Sequence, residues 1–409
     1  MTVEVPPSYT ERPTQAVVLA GGRGTRMLPF TQTRPKPMIE FHGKPFLEYV
    51  VELLRDQGFE RILMLLGYLP HVIEGHFGDG HRWGVSISYS TTDPEALTVH
   101  RVRVAASLLD DLFLLLYCDN YWPLQMDRVW TSFVKSGAAA QITVYSNKDG
   151  YSRDSVIVDD NGTVTTFDRS RTTPGLKGVE ISYAIVPKSV LELFPERDML
   201  FEEAVYPSLV ARRQLAAFVS DHRYYSVGSH ERLSLTDAFL AMTPTVILDR
   251  DGVLNDKPAR ARYVTSPDDF RWLPGALEAL RSLRLAGYRV IVVSNQAGIG
   301  RGVMSEVDLE AIHAKMRADA EAAGGRVDAT YHCPHDWNAG CECRKPRPGM
   351  LFQAQRDQHL DLTRTWFLGD DDRDAEAARA AGCRFAMVTG ESSLLHLTRA
   401  LIDGTLEPS

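Results

Sequence analysis

The chain has 409 residues, 44% hydrophobic and 24% charged, with a net charge of −8. That length suggests two or three domains, each able to bury its own core. The negative balance excludes recruitment of the whole chain by nucleic acid or an anionic membrane, so a phosphorylated substrate must be met by local positive charge. No apolar run approaches a membrane span; the longest, near Leu112 to Cys118, is of strand length. Met1 to Gln15 is polar and proline-bearing, without the apolar core of a signal peptide, and a cytoplasmic location is expected. Three of the five cysteines fall within Cys333 to Cys343, which points to metal rather than to a disulfide framework.

Residues 16–20 read as a buried strand running into Gly21-Gly22-Arg23-Gly24-Thr25-Arg26. Glycines there let backbone N–H groups approach a phosphate chain, and Arg26 adds charge; taken alone, such a loop is also an ordinary turn. Lys36 follows, held between Pro35 and Pro37 on a stiff mount. A helix is expected over Leu47–Gln57, closed by Gly58. Strands are expected at Arg61–Leu66, Val85–Tyr89 and Leu112–Tyr117, the last ending in Cys118-Asp119-Asn120. This alternation predicts an α/β fold with a mostly parallel, doubly wound sheet flanked by helices. Ser155–Val158 and Val164–Phe167 read as a hairpin, followed by Asp168-Arg169 and a strand over Ile181–Val186.

The glycine loop and the Arg34-Pro35-Lys36-Pro37 segment together resemble the sugar-1-phosphate nucleotidyltransferases, and the hairpin tract is similar to their heptose-1-phosphate guanylyltransferase branch. The resemblance implies a nucleoside triphosphate over Gly21, Gly22, Gly24 and Thr25, with Arg26 and Lys36 assisting transfer and Asp119 binding magnesium. From the residues alone, Asp119 is equally a strand-end cap. Three departures stand out. Ser226 occupies the expected place of a second metal-binding aspartate, and a hydroxyl is a poor magnesium ligand. The small-residue loop that usually contacts the nucleotide falls at Ala96 to Val102, where Leu97 or Val99 would crowd a base. Asp168-Arg169 replaces a Glu-Lys pair.

A helix over His230–Met242 ends at Thr243-Pro244-Thr245, which places a domain boundary between 242 and 243. A second βα series then begins with Val246-Ile247-Leu248, which delivers Asp249 and Asp251 to a strand end, where ligands of open α/β sheets sit. A helix opens at Leu273-Pro274-Gly275 with Leu277, Leu280 and Leu283 at helical spacing. The strand Arg289–Val293 delivers Ser294-Asn295-Gln296, a helix spans Glu306–Ala323, and a strand spans Val327–His332. Finally, Thr365–Leu368 ends in Gly369-Asp370-Asp371-Asp372-Arg373-Asp374. Between these lies a compact set, Cys333, His335, Cys341 and Cys343, of the type that closes around structural zinc. It runs directly into Arg344 and Lys345. Cys383 reads as a buried small residue.

The order Asp249/Asp251, Ser294, Lys345, Asp370 resembles the haloacid dehalogenase superfamily. The Cys-Arg-Lys-Pro-Arg-Pro-Gly-Met loop is similar to that of the D-glycero-D-manno-heptose 1,7-bisphosphate phosphatases, with histidinol-phosphate phosphatases as close relatives. The resemblance implies a capless domain in which Asp249 attacks phosphorus and Asp251 handles protons. Magnesium would sit on Asp249, Asp370 and the Asp251 carbonyl. Ser294 and Lys345 would bind phosphoryl oxygens, with Asn295, Gln296 and Arg344 as substrate contacts. Asp374 is expected to orient a cation of the phosphate site, and the carboxylates around Asp371 are expected to raise one another's proton affinity.

These readings combine into a bifunctional enzyme. Residues 243–409 would remove the 7-phosphate from a heptose 1,7-bisphosphate, and residues 1–242 would join the remaining 1-phosphate to a nucleoside triphosphate. The expected partners are a phosphorylated heptose and a nucleoside triphosphate, with no nucleic acid and no membrane; the sequence leaves oligomeric state open. Two alternatives stay open: a non-catalytic first half that binds without turnover, or a phosphatase for histidinol phosphate or another small monoester.

Overall fold

A computed structural model describes residues 9–259 and 261–409. The first eight residues, part of the tract expected to lack a signal peptide, lie outside the described residues. Two compact units divide between Leu240 and Ala241. Among the described residues no helix is long and apolar enough to cross a membrane.

The first unit is built on seven strands: β1 Gln15–Ala20, β2 Arg61–Leu66, β3 Ser86–Thr91, β4 Leu112–Tyr117, β5 Ala140–Tyr145, β6 Val179–Pro187 and β7 Leu215–Ser220. They order as β7-β5-β6-β4-β1-β2-β3. Only β6 runs antiparallel to its neighbours β4 and β5, so the sheet is mixed but mostly parallel. β1 is aliphatic along its whole length after Gln15 because both faces are covered. Val17 and Leu19 join the cluster formed with Phe113, Leu115 and Phe201, and Ala16 and Val18 are buried as well. The expected hairpin forms as an antiparallel pair between Val156–Val158 and Val164–Phe167.

One expectation of this unit is corrected. The tract at Ala96 to Val102 is not an open loop, because a helix spans Thr98–Val104. Val99 is fully buried and Leu97 is exposed, so of the two only Leu97 is open to a ligand.

The second unit has five parallel strands: β8 Thr245–Leu248, β9 Arg289–Asn295, β10 Ala329–Cys333, β11 Trp366–Gly369 and β12 Arg384–Met387, ordered β10-β9-β8-β11-β12. Alternation along β8 sends Val246 and Leu248 to one core and Ile247 to the other. The helices Ala276–Leu285, Glu306–Ala322 and Leu394–Ile402 cover the first face, and Gly349–Gln358 and Asp372–Ala381 cover the second. Within Ala276–Leu285 the buried stripe is Ala276, Ala279, Leu280 and Leu283. The expected Leu277 is only half-buried, since it lies at the edge of that stripe, one residue around the helix from Ala276. Cys383 is half-buried against the second core.

Candidate active sites

In the second unit the carboxyl ends of β8, β9 and β11 place acidic and basic side chains around one cavity of about 720 Å³. Asp249 follows β8, and its carboxylate receives the Lys345 ammonium at 2.8 Å and the Arg250 backbone N–H at 2.7 Å. Lys345 is only 3% exposed. Its ammonium also meets Asp374 at 2.7 Å and donates to the Val293 carbonyl at 3.2 Å. Burial pushes the Asp249 carboxyl upward, Lys345 opposes that, and Asp374 adds to it. Burial disfavours charge on Lys345 too, but its two carboxylate partners outweigh burial and hold it protonated.

Asp251 is held differently. Burial works against its charge, but the Arg250 guanidinium and the amides of Asn255 and Gln296 outweigh that and bring its proton affinity below the usual carboxylate range. The distances are 2.9 Å from Arg250 Nη2 to each oxygen, 3.0 Å from Asn255 Nδ2 and 3.0 Å from Gln296 Nε2. Gln296 Nε2 also donates to Ser294 Oγ at 2.6 Å, tying the two strand ends together. Asn295 pairs reciprocally with the Lys345 backbone, Nδ2 to O and N to Oδ1, each at 3.1 Å. Asn295 thus fixes the loop that aims Lys345. Gly252 has φ +97°, and a β-carbon there would overlap the Asp370 carboxyl, so the turn after the aspartates admits only glycine.

The residues fit a divalent cation. Carboxylate oxygens of Asp249, Asp370 and Asp374 lie within 4.8 Å of one another. Asp370 Oδ1 is buried with no hydrogen-bond partner, while its Oδ2 pairs with Lys257 at 2.9 Å. Asp374 is committed elsewhere, because one oxygen meets Lys345 and the other accepts from the Asp370 N–H at 3.2 Å. The expected crowding at Asp371 is corrected: Arg373 donates to both of its oxygens at 2.8 Å and holds its carboxyl well below the usual range. Asp371 also caps the following helix. Asp370 is raised, by burial first and by Asp374 and Asp371 last.

The cysteine cluster closes on itself. Cys333 Sγ lies 3.6 Å from His335 Nδ1 and 3.6 Å from Cys341 Sγ, and His335 Nδ1 lies 3.2 Å from Cys343 Sγ. Ligands at about 2.3 Å from a tetrahedral ion stand roughly 3.7 Å apart, so the four atoms fit zinc. Several cavity residues were not singled out from the sequence: Lys257, Arg262, Tyr263, Trp337, Arg347 and Arg373. Arg373 carried a signal, as the lone cation among four carboxylates. Lys257 and Tyr263 carried none, because a loop brings them in. Tyr263 Oη and Arg344 Nη1 are buried without partners, donors available to a ligand in the cavity.

In the first unit, Gly21 follows β1 and the loop turns through Gly24 (φ +63°) into a short 3-10 turn, Thr25–Met27. Gly22, Thr25 and Arg26 are exposed. Lys36 forms an ion pair with Asp119, just after β4. Burial opposes charge on both, yet each holds the other ionised, with Arg26 further depressing Asp119. Ser226 lies beside them, since Tyr225–Ser226 pairs with Asn120–Tyr121. Among the described residues Asp119 belongs to no group of three or more candidate metal ligands. Asp168 organises its own turn, accepting from Ser170, Thr172 and Thr173, while Arg169 pairs with Glu202 at 3.0 Å and Glu203 at 3.3 Å.

Comparison with known proteins agrees with this division. Residues 15–168 match the nucleotidyl transferase family and residues 342–404 the HAD-hydrolase-like family. The D-glycero-beta-D-manno-heptose-1,7-bisphosphate 7-phosphatase of Pseudomonas aeruginosa is 41% identical over 161 residues, covering 39% of this chain and 89% of that protein. Its Bordetella bronchiseptica counterpart is 45% identical over 139 residues, covering 34% and 76%. A crystal structure of D,D-heptose 1,7-bisphosphate phosphatase from B. bronchiseptica, complexed with magnesium and phosphate, is 37% identical, with TM-score 0.37 and coverage of 39% and 99%. The crystal structure of HddC from Yersinia pseudotuberculosis is 23% identical, with TM-score 0.47 and coverage of 55% and 97%. Through its second unit this chain belongs to the family of the D-glycero-beta-D-manno-heptose-1,7-bisphosphate 7-phosphatases, and it carries a nucleotidyl transferase domain ahead of that unit.

Proposed function

We propose that residues 243–409 hydrolyse the 7-phosphate of D-glycero-D-manno-heptose 1,7-bisphosphate and that residues 1–242 transfer a nucleotidyl group to the resulting 1-phosphate. The observation that carries the first step is Asp249, held at the end of β8 within 2.8 Å of the buried Lys345. Its carboxylate oxygen attacks phosphorus, the P–O bond to the sugar breaks, and the leaving alkoxide takes a proton from Asp251. Arg250 keeps free Asp251 ionised; the charge of an incoming phosphate raises its proton affinity and loads it for that step. Water, deprotonated by Asp251, then attacks the aspartyl-phosphate and regenerates Asp249. Asp249, Asp370 and the Asp251 carbonyl would hold magnesium, which neutralises phosphate charge when bound. Ser294 and Lys345 contact phosphoryl oxygens, with Arg344 and Lys257 toward the rest of an anionic sugar.

Zinc on Cys333, His335, Cys341 and Cys343 is assigned a structural part, fixing the loop that ends in Arg344-Lys345. In the first unit, Arg26 and Lys36 would meet the triphosphate over Gly21, Gly22, Gly24 and Thr25, and Asp119 would hold magnesium. A second reading makes this unit a binding module without turnover; the hydroxyl of Ser226 beside Asp119, where a second carboxylate is expected, favours that.

The test incubates the full chain with heptose bisphosphate, magnesium and each nucleoside triphosphate in turn, following phosphate and pyrophosphate, with Asp249→Asn as the blank. Phosphate release abolished in the blank supports the hydrolysis. Heptose bisphosphate turned over no faster than histidinol phosphate or generic esters overturns the substrate assignment. Absence of pyrophosphate with every nucleotide leaves only the binding module.

A further inference from the structure

The tract that replaces an open loop at Thr98–Val104 directs one side chain onto the strand ends beside the glycine loop. Arg101 is 3% exposed. Its guanidinium lies across the carboxyl ends of three adjacent parallel strands, β1, β2 and β3. Nη1 donates to the Leu66 carbonyl at 2.7 Å and to Thr92 Oγ1 at 2.6 Å; Nη2 donates to the carbonyls of Gly21 and Asp93 at 3.2 Å and of Pro94 at 3.1 Å. A β-carbon on Gly21 or on Gly67 would overlap this guanidinium. None of these acceptors is a carboxylate, so the charge is solvated by an inward-facing set of backbone carbonyls and one hydroxyl.

The plug is anchored. The Asp198 carboxylate accepts from the N–H groups of Leu97 at 2.6 Å and His100 at 3.0 Å, Val99 N–H donates to the Met199 carbonyl at 3.0 Å, and Thr98 Oγ1 accepts from Phe201 N–H at 2.6 Å. Strand ends beside a glycine loop are where an open α/β sheet takes its ligand. A planar group with several N–H donors at its edge is what this acceptor set recognises, and the chain supplies one from within.

We infer that Arg101 is a built-in occupant of the subsite that would otherwise read the donor edge of a nucleobase. The glycine loop, Arg26 and Lys36 are left to hold a triphosphate without discriminating among bases. The inference rests on the reading that this loop takes phosphates. Among nucleobases guanine matches the displaced group best, since its N1–H and N2 amino group belong to a guanidine fragment.

Calorimetry on the full chain with magnesium compares ATP, GTP, CTP, UTP and inorganic tripolyphosphate. The wild-type chain should bind all five within about threefold of one another. Arg101→Ala should bind GTP more tightly than tripolyphosphate by about tenfold or more, equivalent to roughly 1.4 kcal/mol. A wild-type chain that already prefers one nucleotide over tripolyphosphate by that margin overturns the inference while leaving the phosphate reading intact, and this arm needs no variant to fold. If tripolyphosphate and all nucleotides fail to bind the wild-type chain, the phosphate reading falls. The inference, which rests on that reading, then falls with it.

Discussion

The Lys345 ammonium donates to the Asp249 carboxylate across 2.8 Å with both side chains withdrawn from solvent. On the proposed reading, nucleophile and phosphate-binding cation are therefore one buried unit before any substrate arrives, and Asp374, at 2.7 Å from the same ammonium, completes it. Replacing Lys345 by methionine leaves two buried carboxylates without their cation. Loss of one preorganised donor at a reacting phosphoryl group typically slows turnover by about 10²–10³, and breaking one side of a buried ion pair costs about 3–5 kcal/mol. Steady-state phosphate release and the melting midpoint of the second unit should both fall; a Lys345→Met chain with unchanged turnover contradicts the arrangement.

Gln296 joins Ser294 to Asp251 through a single amide nitrogen. Gln296→Leu keeps the volume and removes both hydrogen bonds. The loss is about 1–2 kcal/mol of positioning, which should appear as a kcat lowered by about tenfold with KM little changed. A rise in KM at constant kcat would make Gln296 a substrate contact instead.

Metal removal separates the two ion sites. The four atoms around Cys333 and His335 fit zinc, and the chain continues from Cys343 directly to Arg344 and Lys345. Elemental analysis should find about one zinc per chain, in line with a closed four-ligand site. Cys341→Ser should lower both zinc content and phosphatase turnover, with magnesium unable to restore them. Retained turnover in a zinc-free chain would detach the loop from the chemistry.

Glu180, on β6, gives a pH signature in the first unit. Burial, reinforced by Glu202, raises its carboxyl to about 8, above the ordinary glutamate value. The folded chain therefore holds this proton where the unfolded chain has released it, and stability falls as pH rises from about 4.5 to 8. Glu180→Gln removes the ionisation and keeps an acceptor for the Ser182 N–H. Its gain over the wild-type chain should be small at pH 4 and grow by about 1.4 kcal/mol per pH unit above 4.5, to a few kcal/mol at pH 8, a rise of several degrees in the midpoint. Equal gains at both pH values would contradict a raised carboxyl.

Much of this molecule is readable without coordinates. The strands Arg61–Leu66 and Leu112–Tyr117 have the bounds that their apolar runs indicate, because strands buried on both faces carry an unbroken aliphatic signal. Asp249, Ser294 and Asp370 lie at strand ends for the same reason: each follows such a run directly. The four-residue Cys/His cluster is local in sequence and needs little more than a turn to close.

Tertiary structure alone decided what depends on side chains reaching across the fold. Nothing in the tract Ala96 to Val102 marks out Arg101, yet a seven-residue helix turns it onto the ends of β1, β2 and β3. Asp371 looked like one charge among several, until Arg373 folded back onto it. Lys257 and Tyr263 enter the phosphatase cavity by way of a loop that has no period to read. Chain-local patterns thus determined the two βα units and the placement of their acidic strand ends, because burial imposes its period on neighbouring residues. Which charges meet was settled only by folding, since a hydrogen bond over 2.8 Å carries no trace of the sequence distance it spans.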